Sequence, residues 1–142
     1  MDPVSALLTT QHRKLKKIIG DGNCLFRALS YFIHGSEDFH TIMRQQLVDF
    51  VHSNKAVFVP YVLSGTIETH ILHMKHDRIW GTQVELQAIA TLTQRDVFVL
   101  TDSFGGTTNT RWMKYTPLDP TNYNLIYLPE DEYPRSLNSQ AL

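Results

Sequence analysis

Residues 21–28 read Asp-Gly-Asn-Cys-Leu-Phe-Arg-Ala and contain the one cysteine of the 142-residue chain. Asparagine is favoured directly before a helix, which makes Asn23 a good N-cap. The apolar residues that follow repeat with the spacing of one helix face: Leu25, Ala28, Leu29 and Phe32. We therefore predict a helix that begins at Cys24 and ends near His34-Gly35.

A cysteine at the start of a helix has the surroundings of a nucleophile. The first turn offers free N–H groups and about half a unit of positive partial charge, which favours thiolate over thiol. Gly20 and Gly22 allow a tight turn before Cys24, and N–H groups of that turn can point to where a tetrahedral oxyanion would form. The alternative is a buried structural cysteine. The Asp-Gly-Asn approach to Cys24 favours the reactive interpretation.

The composition is that of an ordinary globular protein, with 42% apolar and 19% charged residues. A net charge of −1 gives no general attraction to nucleic acid or to an anionic membrane. A single cysteine excludes a disulfide within the chain, and the N-terminal residues lack the pattern of a signal peptide. We expect one monomeric domain over residues 1–142, without cofactor or metal, in the cytoplasm or nucleus.

Helical spacing dominates the first part of the chain, and strand patterns dominate the last part. Ser36 is expected to cap a helix with an apolar face made by Phe39, Met43, Leu47 and Phe50. Thr66 opens a short helix, and residues 82–85 form a capping box, in which Thr and Glu bond each other's backbone N–H groups. Short strands follow at 97–100, 112–115 and 125–128. This order predicts an α+β or mixed α/β fold with helices packed around one small sheet.

Residues 21–28 resemble the nucleophile segment of the OTU (ovarian tumour) deubiquitinases, whose members carry Asp-Gly-Asn-Cys-Leu-Phe-Arg-Ala. Two later stretches are also similar to that family, namely the Trp-Gly pair and helix at 80–88 and the strand at 126–128. The resemblance spans residues 15–128. It implies the papain-like OTU fold and hydrolysis of linkages to ubiquitin, polyubiquitin or a ubiquitin-like protein.

The resemblance also implies roles for individual residues. Cys24 is the nucleophile, and Asp21 is the acidic active-site residue of the motif. The backbone N–H groups of Gly22 and Asn23 belong to the oxyanion hole.

The histidine that the family uses as general base is missing from its expected place. That histidine opens the last strand, takes the thiol proton and later protonates the leaving amine. This chain has seven histidines, none of them after His76. The position of the family's histidine corresponds to Glu132 in this chain or, alternatively, to Asn122. A glutamate has an ordinary pKa of about 4.3, too far below the pKa of about 8.5 of a thiol for it to be a good proton acceptor from Cys24. An asparagine accepts no proton.

Three explanations fit the missing base. A histidine from elsewhere takes the role, for which the candidates are His70, His73 and His76, just before Trp80-Gly81. The alternative for these three is that they are polar residues of an exposed short helix. In the second explanation, the full protein supplies a histidine beyond this sequence. In the third case the domain is inactive and binds ubiquitin without cleaving it. The intact nucleophile segment favours the enzyme over the binding module.

Overall fold

The fold places a group of helices before a two-stranded antiparallel sheet. The computed structural model describes Thr10, His12 and residues 16–101 and 111–118. The helices are α1 (Cys24–His34), α2 (His40–Ser53), α3 (Lys55–Phe58), α4 (Ile67–Met74) and α5 (Gln83–Thr93), with 3-10 turns at Glu37–Phe39 and Val59–Tyr61. The strands are β1 (Val97–Thr101) and β2 (Arg111–Tyr115). This architecture confirms the predicted α+β class.

The two strands pair in a register that sets Val97 opposite Tyr115 and Thr101 opposite Arg111. Both strands were predicted to within one residue at either end, because runs of β-branched and aromatic residues suit a half-buried pleated surface. The predicted strand at 125–128 lies outside the described residues. None of the helices in the described part of the chain is long and apolar enough to cross a membrane.

The core lies where α2 meets α1, α4 and α5, and α5 then packs against both strands. Its fully buried side chains include Phe26, Leu47, Phe50, Phe58, Ala88 and Ala90. The short helix predicted to start at Thr66 is confirmed as α4, and its apolar face of Ile67, Ile71 and Met74 is buried. The start of α5 is also as predicted, because Thr82 and Glu85 form the reciprocal capping box.

Two apolar faces differ from the prediction. In α1 the most buried apolar residue is Phe26, with no exposed surface, whereas the predicted Leu25 and Ala28 are only half-buried. The face is rotated because Phe26 packs under a buried arginine of α2, whose guanidinium carbon lies 4.1 Å from the ring centroid. Phe39 is 43% exposed, since Ser36 caps a separate 3-10 turn before α2 begins.

Candidate active site

Cys24 is the first residue of α1, as predicted, and its side chain is free and half-buried. No described side chain forms a hydrogen bond with its sulfur. The N–H groups of Gly22 and Cys24 likewise have no hydrogen-bond acceptor among the described residues. The helix start therefore leaves two backbone donors without an acceptor among the described residues, and such donors stabilise an oxyanion where they converge on it.

Asp21 builds the turn that precedes the cysteine. Its Oδ1 accepts the N–H of Asn23 at 3.0 Å, so that N–H is engaged within the turn, and the oxyanion role predicted for it stays a prediction. Arg27, one turn into α1, donates from Nη2 to Oδ2 at 2.8 Å and from Nε to both carboxylate oxygens. The hydrogen bonds from Arg27 hold the pKa of Asp21 well below its usual range. Asp21 is therefore an ionised anchor for the turn.

The side chain of Asn23 does not cap α1, in contrast to the prediction. Its Oδ1 accepts from Arg44 Nη2 at 2.8 Å and from the N–H of Arg78 at 2.9 Å. Its Nδ2 donates to Asp77 Oδ1 at 2.9 Å and to Asp21 Oδ2 at 3.4 Å. The side chain does not cap the helix because these partners use all the hydrogen-bonding groups of its amide.

Arg44 is a cation inside the core, 4% exposed. Besides Asn23 it bonds two backbone carbonyls, those of Met74 at 3.0 Å and Ile79 at 2.8 Å. Burial lowers the pKa of the Arg44 guanidinium, while Asp77 and other carboxylates raise it, and the group stays charged. A buried charge needs such partners, because an unpaired one is very costly.

None of the three histidines proposed as a migrated base forms a hydrogen bond with the thiol in the part of the chain that the structure describes. His70 Nε2 lies 2.8 Å from Glu85 Oε2, and this bond raises the pKa of His70. His73 and His76 are exposed and make no side-chain hydrogen bond with the other described residues. The other two candidate positions, Glu132 and Asn122, lie outside the described residues. A role of His70, His73 or His76 as the general base stays a prediction.

Two residues of the site were not singled out from the sequence. Arg27 carries a local signal, because it lies inside the quoted motif three residues after Cys24. Arg44 carries a weaker sequence signal, since it lies four residues before Val48 and seven before Val51, on the buried face of α2. A charged residue in that line predicts a buried partner, although not which one. Within the described residues, no cluster of three or more His, Cys, Asp or Glu could hold a metal ion.

The family model for OTU-like cysteine proteases matches residues 19–128 of this chain. The chain therefore belongs to the OTU family of cysteine proteases, which confirms the resemblance drawn from residues 21–28.

Named relatives and solved structures agree with this assignment. OVARIAN TUMOR DOMAIN-containing deubiquitinating enzyme 9 of Arabidopsis thaliana is 34% identical over 128 residues, which cover 83% of this chain and 36% of that protein. OTU domain-containing protein 5 of Homo sapiens is 32% identical over 91 residues, 64% of this chain and 16% of that protein. The chain thus spans well under half the length of these relatives.

The OTU domain of OTUD1 superposes with a TM-score of 0.70 at 25% identity, covering 81% of this chain and 77% of that one. The viral OTU domain protease from Dera Ghazi Khan virus gives 0.60 at 20% identity, covering 76% and 69%, and shows the shared fold. The predicted OTU-like fold is confirmed.

Proposed function

We propose that this chain is a cysteine-type deubiquitinase that hydrolyses ubiquitin linkages through an acyl-enzyme on Cys24. The observation that carries the proposal is the geometry of residues 21–24, where a free thiol begins a helix beside two unused N–H donors. Membership of a cysteine protease family and similarity to a named deubiquitinating enzyme support ubiquitin as the partner.

In the proposed reaction the Cys24 thiolate attacks the carbonyl carbon that joins the C-terminal glycine of ubiquitin to its target. The N–H groups of Gly22 and Cys24 stabilise the oxyanion of the tetrahedral intermediate, and loss of such a donor costs about 10²–10³ in rate. Collapse breaks the C–N bond, the amine leaves with a proton, and a thioester remains on Cys24. Water then hydrolyses the thioester to free carboxylate and thiol. Asp21 holds the turn in this scheme.

The proton acceptor for Cys24 is sought at His73 and His76, because His70 is already bonded to Glu85. If one of the exposed histidines is the base, its substitution by alanine abolishes activity and the other two single variants stay close to wild type. Full activity in all three variants excludes a migrated base from this cluster.

A ubiquitin-binding module without turnover is the second candidate. The observation in its favour is that, across residues 16–101 and 111–118, no imidazole forms a hydrogen bond with Cys24. In this case the site recognises ubiquitin, but the thiol is not deprotonated for attack.

Reaction with ubiquitin that carries a C-terminal electrophile separates the two candidates. The enzyme forms a covalent adduct that is absent in Cys24→Ala, and it cleaves polyubiquitin. A wild-type protein that binds ubiquitin in calorimetry, yet forms no adduct and cleaves no chain, is the binding module. A protein that neither labels nor binds overturns ubiquitin as the partner.

A further inference from the structure

Asn23, next to the nucleophile, uses its whole hydrogen-bonding capacity. A carboxamide has two N–H donors and two acceptor lone pairs on its oxygen. The oxygen accepts from Arg44 and from the N–H of Arg78, and the nitrogen donates to Asp77 and Asp21. The residue is 2% exposed. Water is excluded from it, so these partners alone fix its position.

Arg44 links Asn23 to both ends of the segment after α4, residues 75–79. One guanidinium bonds the carbonyl of Met74, where α4 ends, and that of Ile79. A second bond from Nη2 reaches Asn23. Arg44 and Asn23 therefore fix residues 75–79 relative to the start of α1.

The fixed segment leads directly into Trp80 and Gly81. Gly81 lies against the side chain of Leu25, the residue after Cys24, and a Cβ at Gly81 would require Cδ2 of Leu25 to shift. Trp80 is 71% exposed, although it follows a segment that is tightly held. Residues 80–81 thus form a wall beside the first turn of α1. They directly follow residues 75–79, whose position depends on Asn23.

We propose that Asn23 is a positioning residue that sets the spacing between the Cys24 sulfur and this wall at residues 80–81. The substrate it serves is an extended peptide tail that must pass between the two. The inference rests on the proposed function and adds a specific role for the amide. Positioning of this kind matters because a misplacement of 1 Å can lower a rate about 10²-fold. Asn23 acts on the groove, by which we mean the space between the Cys24 sulfur and residues 80–81, whereas the reactivity of the thiol comes from the helix start.

Two labelling reactions test the proposal. Iodoacetamide reads the reactivity of Cys24 alone, and ubiquitin with a C-terminal electrophile reads the thiol and the groove together. In Asn23→Ala, labelling by the ubiquitin probe is expected to fall about 100-fold, while alkylation by iodoacetamide stays close to wild type. An equal fall in both rates overturns the proposal, because Asn23 would then act on the sulfur. Unchanged rates also overturn it.

Asn54 provides the matched control. It is a second buried asparagine, and its Nδ2 donates to the carbonyl of Phe50 at 2.8 Å. It lies ten residues after Arg44, about 15 Å along the axis of α2. Asn54→Ala should therefore lose stability but keep both labelling rates, measured at a temperature where circular dichroism shows each variant folded.

If Asn23→Ala does not fold, Arg44→Lys takes its place. Lysine keeps the buried charge but lacks the planar fork that reaches Asn23, Met74 and Ile79 together. The same selective loss of labelling by the ubiquitin probe is expected, and equal effects on both probes again overturn the proposal.

Hydrogen exchange of the free protein tests whether Asn23 holds residues 75–79, even if the wild type does not react with the ubiquitin probe. A lack of that reaction would refute the proposed function separately. The N–H of Arg78 donates to Asn23, so its exchange should be slow in wild type and in Asn54→Ala, and at least tenfold faster in Asn23→Ala. Equal exchange in all three proteins overturns the role of Asn23 in holding this segment.

Discussion

The carbonyl oxygen of Arg78 lies directly against Gly22, and no Cβ fits in the space between them. Gly22 also has a φ of 89°, in the left-handed region that side chains rarely adopt. The two requirements are independent, since one concerns a neighbouring backbone and the other the local conformation. Gly22 is therefore a point at which the turn before Cys24 and the segment after α4 are in direct backbone contact.

Gly22→Val is expected to abolish activity while leaving a folded domain. The new side chain must displace the carbonyl of Arg78 and, with it, the N–H groups that face the proposed oxyanion. We expect a loss of at least about 10²-fold in labelling by the ubiquitin probe. Gly20→Ala is the matched control, because no atom lies within 4 Å of a Cβ at Gly20. Unchanged turnover in Gly22→Val would show that the turn has no part in the reaction.

Arg78→Gly is expected to stabilise the protein. Arg78 has a φ of 66° and an exposed side chain, and its ion pair with Asp77 at 3.5 Å is at the surface. A left-handed residue with a Cβ costs about 1–2 kcal/mol, whereas glycine adopts this conformation freely. The free energy of unfolding from urea titrations should rise in Arg78→Gly and fall in Arg78→Ile. If both variants match Arg78→Ala, the backbone there carries no strain.

Arg27→Met should lower stability at neutral pH but not in acid. Hydrogen bonds from Arg27 depress the pKa of Asp21 in the folded state, so the unfolded chain binds more protons between that pKa and about 3.9. The stabilisation is complete above about pH 4 and is lost as pH falls through the folded pKa. Urea titrations at several pH values measure it, with Lys16→Met, which removes an exposed pair with Glu37 at 3.6 Å, as control. A stability difference that is the same at every pH would contradict this pairing.

The pair of His70 and Glu85 should make the protein less stable in alkaline solution. Glu85 raises the pKa of His70, so the folded state binds more protons than the unfolded chain above about pH 6.5. The contribution is fully present below that pH and is lost as pH rises through the folded pKa. In His70→Gln the fall in unfolding free energy over this window should be absent. An identical pH dependence in His70→Gln and wild type would show that another group causes it.

The local parts of the fold could be predicted from the sequence, and the long-range parts could not. The start of α1 at Cys24, the capping box before α5 and the strand at Val97 each depend on neighbouring residues. Asn23 shows the limit of such local prediction. The rule for helix caps correctly placed it before α1, but wrongly predicted that its side chain bonds the first turn of the helix.

The partners that decide the role of Asn23 lie 21 and 55 residues away, at Arg44 and Arg78. No periodicity links residues at such separations. The same reason explains why Glu85 was predicted to bond Thr82 but not His70. The position of Cys24 at the start of α1 could thus be predicted from the sequence, whereas the long-range contacts that hold the preceding turn could not.

The bonds from Arg44 to the carbonyls of Met74 and Ile79 have a consequence for chain length. A segment whose two ends are held by one guanidinium cannot gain or lose a residue without releasing one of them. The exposed stretch at Leu63–Gly65 has no such restraint, and Leu63 is 84% exposed. Insertions should therefore be accepted there and rejected between Met74 and Ile79, although the side chains between those two positions are exposed.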